Sequence, residues 1–191
     1  MSIQHFRRFA VAVVAVAAVA IGAVSGAGVA NADTGDTVSQ GTTAYWIAPT
    51  IDSMPMAVAD ASNSPGARVI QWYNTGGNEQ KWYFDGVYNS TGNYLGFLLR
   101  NKNSGQCLDT DGVPGDTLFQ NYCDPNGRPQ QIFNNVADYD YYGYPIDWRY
   151  QNSRSGLWLD VNGDSLNPGT GIDLWFQNWN DNQNFFLTQT S

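Results

Sequence analysis

Three aspartates and three Gln-x-aromatic motifs recur along this chain with a common spacing. The aspartates, each at the end of a short apolar stretch, are Asp60, Asp109 and Asp160, which lie 49 and 51 residues apart (109 − 60 and 160 − 109). The motifs end at Trp82, Phe133 and Phe185, which lie 51 and 52 residues apart (133 − 82 and 185 − 133). A carboxylate accepts charge-assisted hydrogen bonds, and a fixed glutamine amide beside it can orient it. Two markers with one period predict a supersecondary unit copied three times, since no single copy can bury its apolar face alone.

Few residue types are available for catalysis. The single histidine, His5, lies near the amino terminus, so residues 33–191 contain no imidazole for acid–base catalysis or metal binding. Glu79 is the only glutamate in the sequence. A pair of aspartates can hydrolyse glycosides, but binding and folding already account for the repeated motifs. We therefore expect a protein that is not an enzyme and needs no cofactor.

One acidic stretch has the first half of a calcium-binding loop. Asp160, Asn162 and Asp164 supply oxygen atoms at positions one, three and five of such a loop. Position six is Ser165 rather than glycine, and position twelve is Gly171 rather than an acid. The sequence therefore predicts no metal site.

The first 32 residues have the pattern of a secretory signal peptide. Arg7 and Arg8 precede an Ala- and Val-rich run over 9–29, and Ala30-Asn31-Ala32 has the small-x-small form of a cleavage site. We expect cleavage near Ala32 and secretion. An uncleaved membrane anchor is the alternative, because the apolar run is long enough to span a bilayer. Cleavage removes two arginines and changes the formal charge to −8 − 2 = −10, so we expect binding to neither nucleic acid nor an anionic membrane.

The exported chain contains two cysteines, Cys107 and Cys123. A pair of cysteines in an exported protein, with no third cysteine left over, predicts one disulfide, here within the second repeat. Two buried thiols are the alternative.

The chain after residue 45 is rich in aromatic residues, Asn and Gly. Short apolar or alternating runs are separated by turn signals such as Asp85-Gly86 and Asn162-Gly163, and no window has the periodicity of an amphipathic helix. The sequence therefore predicts an all-β domain over 45–191, with repeats at about 45–84, 95–135 and 146–188, after a flexible linker over 33–44. Three copies of a small β unit predict closure around a pseudo-threefold axis, which protects most strand edges.

The repeated motifs resemble those of the ricin-type lectin domain. The second repeat contains Gly105-Gln106-Cys107-Leu108-Asp109 and ends in Gln131-Ile132-Phe133, and the other two motifs are Gln80-Lys81-Trp82 and Gln183-Asn184-Phe185. That family has a Q-x-W or Q-x-F near the end of each repeat, an upstream C-L-D-type stretch, and a disulfide where the two cysteines fall. The resemblance implies a β-trefoil with three pseudo-symmetric repeats and the function of a secreted lectin with up to three shallow sugar sites.

The resemblance also implies the parts of each site. An Asp accepts hydrogen bonds from sugar hydroxyls, an aromatic ring stacks on the sugar, a polar residue before the motif Gln adds a further bond, and the Gln braces the Asp. These groups match a pyranose, which has an apolar C–H face and a hydroxyl edge. The third repeat has the full set, namely Asp160, Asp173, Trp175, Asn182 and Gln183.

The other two repeats are less complete. The first has Asp60, Trp72 and Gln80, but Glu79 stands before its Gln and offers no amide donor. The second has Asp109 and Gln131, but Asn121 stands at the aromatic position. We therefore rank the third repeat first as a sugar site and the first repeat second. Structural roles are predicted for Asp109, Gln131 and the motif aromatics Trp82, Phe133 and Phe185.

The expected partner is a carbohydrate, and galactose-type sugars are common in the family that the chain resembles. Association with a separate enzyme or toxin subunit is a further expectation from this resemblance. The alternative function is a trefoil that binds no sugar and acts as a protease inhibitor or a protein-interaction module, since fold alone does not determine function. The complete third-repeat set favours the lectin, because such a module would not need it.

Overall fold

The computed structural model describes residues 36–190, so the predicted signal peptide over 1–32 lies outside the described residues. Within this range the chain forms thirteen β-strands and four 3₁₀ helices of three residues each. The strands are β1 (Thr37–Ser39), β2 (Ala44–Pro49), β3 (Met56–Val58), β4 (Val69–Gln71), β5 (Trp82–Tyr88), β6 (Tyr94–Asn101), β7 (Cys107–Asp109), β8 (Phe119–Asn121), β9 (Phe133–Tyr139), β10 (Pro145–Asn152), β11 (Trp158–Val161), β12 (Ile172–Trp175) and β13 (Phe185–Gln189). The 3₁₀ helices are Ala59–Ala61, Asn78–Gln80, Asn162–Asp164 and Asp181–Gln183.

Six of the strands close into a barrel. Antiparallel pairing runs from β2 to β5, β6, β9, β10 and β13, and β13 pairs back with β2. The other six trefoil strands form three hairpins, β3–β4, β7–β8 and β11–β12. Each repeat thus contributes two barrel strands and one hairpin, which is the β-trefoil predicted from the sequence.

The core lies inside the barrel and beneath the hairpins. The three motif aromatics Trp82, Phe133 and Phe185 are fully buried there, at the first position of strands β5, β9 and β13. The hairpins and their flanking residues add buried aliphatic side chains from each repeat, including Val69, Leu118 and Ile172. Since each repeat contributes an equivalent part of one continuous core, no repeat could be stable alone.

Residues 37–44 differ from the sequence prediction, which assigned 33–44 to a flexible linker. Strand β1 pairs with residues 86–88 of β5, where β2 no longer covers that strand. Val38 packs on a small apolar cluster, and the Gly41 amide donates to Asp85 Oδ1 over 2.8 Å. The polar composition of this segment does not indicate a strand, because β1 is stabilised by pairing with an open strand edge rather than by its own apolar periodicity.

The disulfide prediction is confirmed. Cys107 on β7 and Cys123 just after β8 are bonded, with their Cα atoms 4.9 Å apart and 16 residues apart in sequence. Both sulfurs adjoin the small cluster formed by Val87, Leu98 and Ile132. The bond therefore joins the two arms of the second hairpin, and both cysteines pack against the barrel wall.

No helix within residues 36–190 is long and apolar enough to cross a membrane.

Removal of the disulfide should destabilise the fold without changing it. Closure of a loop of this length contributes about 3 kcal/mol by the chain-entropy estimate. The double variant Cys107→Ala/Cys123→Ala should therefore lose about 3 kcal/mol of unfolding free energy in urea titrations, with an unchanged far-UV spectrum. Wild-type protein treated with a reductant is the matched control and should show the same loss. Equal stability of the oxidised and reduced proteins would contradict the prediction.

Candidate functional site

One buried glutamine has the same bonds in every repeat. The side-chain Nε2 of Gln80, Gln131 and Gln183 donates to the backbone carbonyls of Tyr73, Tyr122 and Phe176, over 2.7, 3.0 and 2.9 Å respectively. The Oε1 of the same side chains accepts from the backbone N–H of Thr75, Asp124 and Asn178. The three glutamines therefore brace the loop after each hairpin and define which residues are equivalent.

Strand register then identifies the residue at the aspartate position of each repeat. The glutamines bond to the carbonyls of residues 73, 122 and 176. Three positions before these lie Ile70, Phe119 and Asp173, which are therefore equivalent (73 − 70, 122 − 119 and 176 − 173). Across the hairpin these pair with Ala57, Asp109 and Asp160, respectively. Ala57, not Asp60, thus occupies the first-repeat position, which corrects the alignment made from the sequence. Asp60 lies three residues later, in a 3₁₀ helix.

Asp160 is the most constrained carboxylate of the third repeat. It is only 3% exposed, and its Oδ2 accepts from Gln183 Nε2 over 2.7 Å and from Asn182 Nδ2 over 2.9 Å. A longer contact of 3.5 Å comes from Asn178 Nδ2. Within residues 36–190, all these donors approach Oδ2 and leave Oδ1 without a bonded partner. One oxygen is therefore held in place while the other is free to accept a hydrogen bond from a ligand.

Asp173 lies directly across the hairpin from Asp160. Its Oδ2 accepts from Asn162 Nδ2 over 2.5 Å, whereas its buried Oδ1 has no hydrogen-bond partner within the described part of the chain. Two carboxylates opposite each other on one face of a hairpin repel when both are ionised. Asp173 Oδ1 is therefore a buried acceptor without a donor, beside the unbonded Oδ1 of Asp160.

Burial is the main cause of a raised pKa at both positions. It raises the pKa of Asp160 to about 7, with repulsion from Asp173 and Asp164 added and the amide bonds of Gln183 and Asn182 acting in the opposite direction. Burial also raises the pKa of Asp173, again opposed by a bond from Asn162. Since the folded pKa of Asp160 lies above its unfolded value, its contribution to stability is full below the unfolded pKa and is lost as pH rises through about 7.

These carboxylates line a pocket of about 330 Å³, together with Asn162, Gly163, Asp164, Trp175, Asn178 and Asn182. Trp175 is 44% exposed at the edge of this pocket. Its ring rests on the second repeat, because a β-carbon at Gly115 would lie only 3.2 Å from Trp175 Cζ3. The structure therefore brings together all five residues that the sequence assigned to this site. Asn182, however, is 2% exposed and bonds to Asp160 and to the Val161 carbonyl, so it braces the carboxylate.

The equivalent aspartate of the second repeat, Asp109, is closed to a ligand, because both of its carboxylate oxygens are bonded within the protein. Asp109 Oδ1 accepts from the Thr110 amide, and Oδ2 accepts from Asn121 and Gln131 and forms an ion pair with Arg128. Its acceptor oxygens are therefore bonded within the protein. Asn121, at the position of the stacking aromatic, is one of the groups that closes it.

The first repeat has an aromatic ring but no buried carboxylate. Trp72 is partly exposed beside a pocket of about 200 Å³ whose lining includes Asp60 and Glu79. Gln80 makes its structural bonds but reaches no carboxylate among the described residues, because the equivalent position is Ala57. Glu79 Oε1 accepts from the Thr75 hydroxyl. This repeat lacks the oriented Asp–Gln pair of the third repeat.

Several pocket residues were not singled out from the sequence. A signal for Gly115 was present, because Pro-Gly occurs once in each repeat at Pro65-Gly66, Pro114-Gly115 and Pro168-Gly169, and all three glycines have φ between 84 and 87°. The role of Asn178 had no comparable signal, and the sequence drew attention to Asn162 only as part of an incomplete calcium loop. Within residues 36–190 no group of three or more His, Cys, Asp or Glu side chains is arranged to hold a metal ion.

Many solved structures resemble this fold, and three of them illustrate the range. A designed threefold-symmetric protein, ThreeFoil, is 25% identical with a TM-score of 0.62, covering 75% of this chain and 96% of its own. An exo-β-1,3-galactanase from Clostridium thermocellum is 25% identical with a TM-score of 0.66, over 78% of this chain but only 30% of its own. A ricin B-like lectin from Macrolepiota procera, solved in complex with lactose, is 24% identical with a TM-score of 0.59, over 78% of this chain and 96% of its own. No curated protein sequence matches the chain.

The family comparison agrees with the geometry. The sequence model of the family described as "Ricin-type beta-trefoil lectin domain-like" matches residues 78–175, which is just over half of the 191 residues. The match begins in the last part of the first repeat and ends at Trp175. The chain belongs to the ricin-type β-trefoil lectin domain-like family.

Proposed function

We propose that this protein is a secreted lectin that binds carbohydrate without catalysis, with its principal site in the third repeat. The observation that carries the proposal is the pair of buried carboxylates, Asp160 and Asp173, each with an unbonded acceptor oxygen beside the open ring of Trp175. Sugar hydroxyls are donors that suit these oxygens, and they form charge-assisted hydrogen bonds with them. The apolar face of a pyranose suits the indole ring.

The energetics favour a ligand that donates hydrogen bonds. Asp160 Oδ1 is the acceptor available to a hydroxyl, whereas Asp173 Oδ1 is buried without a donor, which costs about 1–3 kcal/mol. The amides of Gln183 and Asn182 already hold Asp160, so little reorganisation accompanies binding. Each site is open and shallow, so we expect affinities in roughly the millimolar to high-micromolar range for a single sugar.

Galactose-type sugars are our proposed ligands. The Macrolepiota procera lectin was solved with lactose, and the Clostridium thermocellum protein is an exo-β-1,3-galactanase. This chain spans about 30% of the galactanase and 17% of a mosquitocidal holotoxin of similar fold. Association with a separate enzyme or toxin subunit is therefore part of the proposal, with the lectin directing that partner to a glycan.

A protein-interaction module is the second candidate. The turn between β9 and β10 exposes the tyrosines Tyr139, Tyr141, Tyr142 and Tyr144. Exposed tyrosines are enriched in protein interfaces. Such a module, or a protease inhibitor, would not need the unbonded acceptors of the third repeat.

Substitution of Asp160 should weaken sugar binding without loss of stability, whereas substitution of Asp109 should lower stability without loss of sugar binding. Asp160→Asn removes one charge of a repelling pair, so the free energy of unfolding at pH 8 should stay equal or rise while sugar affinity falls about 10- to 100-fold. Asp109→Asn is the matched control; it weakens the ion pair with partly exposed Arg128, so it should lose about 1 kcal/mol of stability and keep its sugar affinity. Glycan-array binding, titration calorimetry and urea unfolding measure both properties. Unchanged glycan binding by folded Asp160→Asn would remove the third repeat as the principal site.

Truncation of Trp175 and of Trp72 should rank the third and first repeats by their contribution to glycan binding. Trp175→Ala should weaken glycan binding about 10-fold or more, because the ring supplies the apolar contact. Trp72→Ala should have the smaller effect, since Ala57 replaces the oriented carboxylate in the first repeat. A larger loss in Trp72→Ala would place the principal site in the first repeat.

Sugar binding should strengthen with rising pH. Ionised Asp160 offers its full acceptor capacity, whereas the protonated form loses part of it, so affinity is lost as pH falls through the pKa of about 7. Between pH 8.5 and pH 5.5 we expect roughly a 10-fold loss, measured by titration with galactose or the best sugar from the array. Asp160→Asn is the control and should show little pH dependence in this window. Equal affinity of the wild type at both pH values would show that the charge of Asp160 does not contribute.

A further inference from the structure

Trp179 has an unusual position next to the third-repeat pocket. It follows Asn178, which lines the pocket, and its side chain is 70% exposed. Its backbone has φ of 65°, in the left-handed region that bulky residues avoid. Such residues persist where the surrounding structure holds them, and they are concentrated at functional sites.

The first repeat shows what the fold itself requires at this position. Gly76 and Trp179 both lie four residues before the motif glutamine (80 − 76 and 183 − 179), and Gly76 has φ of 76°. The turn is bonded alike in both repeats, since Thr75 Oγ1 and Asn178 Oδ1 each accept from the amide two residues later. Glycine adopts this conformation without strain. A tryptophan here is therefore not explained by the stability of the turn.

One face of the Trp179 ring is held by a buried cation. The guanidinium carbon of Arg149, on β10, lies 4.6 Å from the ring centroid, and Arg149 is only 7% exposed. Arg149 is in turn paired with Asp138 on β9. This cation–π contact fixes the indole from the barrel side and leaves its other face open to solvent. The ring is thus pre-organised, which lowers the entropy cost of stacking a ligand on it.

We propose that Trp179 is a second stacking platform, which binds a further sugar residue of an oligosaccharide or polysaccharide whose end residue occupies the pocket. This inference rests on the proposed function and extends it from a single sugar to a glycan chain. The ligand class is a neutral glycan. Asp147 interacts electrostatically with Asp138 and Asp181 as well as with Arg149, so acidic groups outnumber the one cation in this set and uronic acid or sulfated chains would be repelled.

The test compares one sugar with a chain of sugars. The probes are galactose, β-1,3-linked galactobiose and galactotriose, or the matching series of the neutral sugar that binds most tightly in the glycan array. The purified wild type, Trp179→Gly and Trp179→Phe are titrated with each probe, and their melting temperatures are recorded. Tyr122→Ala, which removes an exposed aromatic from the closed second repeat, is the control.

The wild type should bind the trisaccharide more tightly than galactose. Trp179→Gly should bind galactose as the wild type does but bind the trisaccharide about 3- to 10-fold more weakly, the range expected for one aromatic contact. Its melting temperature should be equal or higher, because glycine relieves the left-handed backbone. Trp179→Phe should keep most of the trisaccharide affinity, and Tyr122→Ala should keep all of it.

Four results would overturn the inference. If Trp179→Gly keeps the trisaccharide affinity of the wild type, or if the wild type binds galactose and the trisaccharide equally, the platform is absent while the lectin function stands. If Trp179→Gly loses galactose and trisaccharide affinity equally, Trp179 belongs to the pocket itself. If the wild type binds no neutral sugar, the proposed function fails and the platform fails with it.

Discussion

Each repeat depends on one buried glutamine side chain that bonds to two backbone groups of the loop after its hairpin. The amide of Gln80, Gln131 or Gln183 donates to one backbone carbonyl and accepts from one backbone N–H of the same loop. An unpaired backbone group at such a buried place would cost as much as a lost hydrogen bond. The glutamine therefore fixes the loop, and the loop carries the residues that line each candidate site. In the second and third repeats the same amide also holds a carboxylate.

The three repeats use this frame in different ways. The aspartate position is Ala57 in the first repeat, the bonded Asp109 in the second and the partly unbonded Asp160 in the third. Arg128 compensates the charge of Asp109, whereas Asp160 is buried opposite a second carboxylate and its pKa is raised to about 7. Burial without compensation lowers stability, and such costs are typical of functional sites. The comparison within one chain separates the structural use of the aspartate from its use toward a ligand.

Each candidate site is formed within one repeat, but its aromatic ring contacts the neighbouring repeat. Gly115 of the second repeat supports Trp175 of the third, and Gly169 of the third repeat lies against Trp72 of the first. Each glycine belongs to a Pro-Gly turn with positive φ, so a side chain there would strain the turn, and at Gly115 it would also crowd the Trp175 ring. The pseudo-threefold arrangement therefore contributes directly to the pocket, because each ring needs the neighbouring copy.

Several features were determined by the sequence alone. The repeated Gln-x-aromatic motifs predicted the threefold all-β fold, because one buried aromatic and one bracing glutamine are needed in every copy. The paired cysteines predicted the disulfide, and the identities at 160, 173 and 175 singled out the third repeat, whose residues the fold brings into one pocket. These inferences depend on local residue types and on spacing, both of which can be counted along the chain.

Only the tertiary structure decided the points that depend on pairing between distant segments. Register across a hairpin placed Ala57, and not Asp60, at the aspartate position, because the sequence alignment followed residue type and an alanine gives no sign of that role. Pairing with the open edge of β5 ordered residues 37–39. The support of Trp175 by Gly115 and of Trp179 by Arg149 joins segments 60 and 30 residues apart (175 − 115 and 179 − 149). Such contacts arise when the barrel closes, because closure alone brings strands and loops of different repeats together.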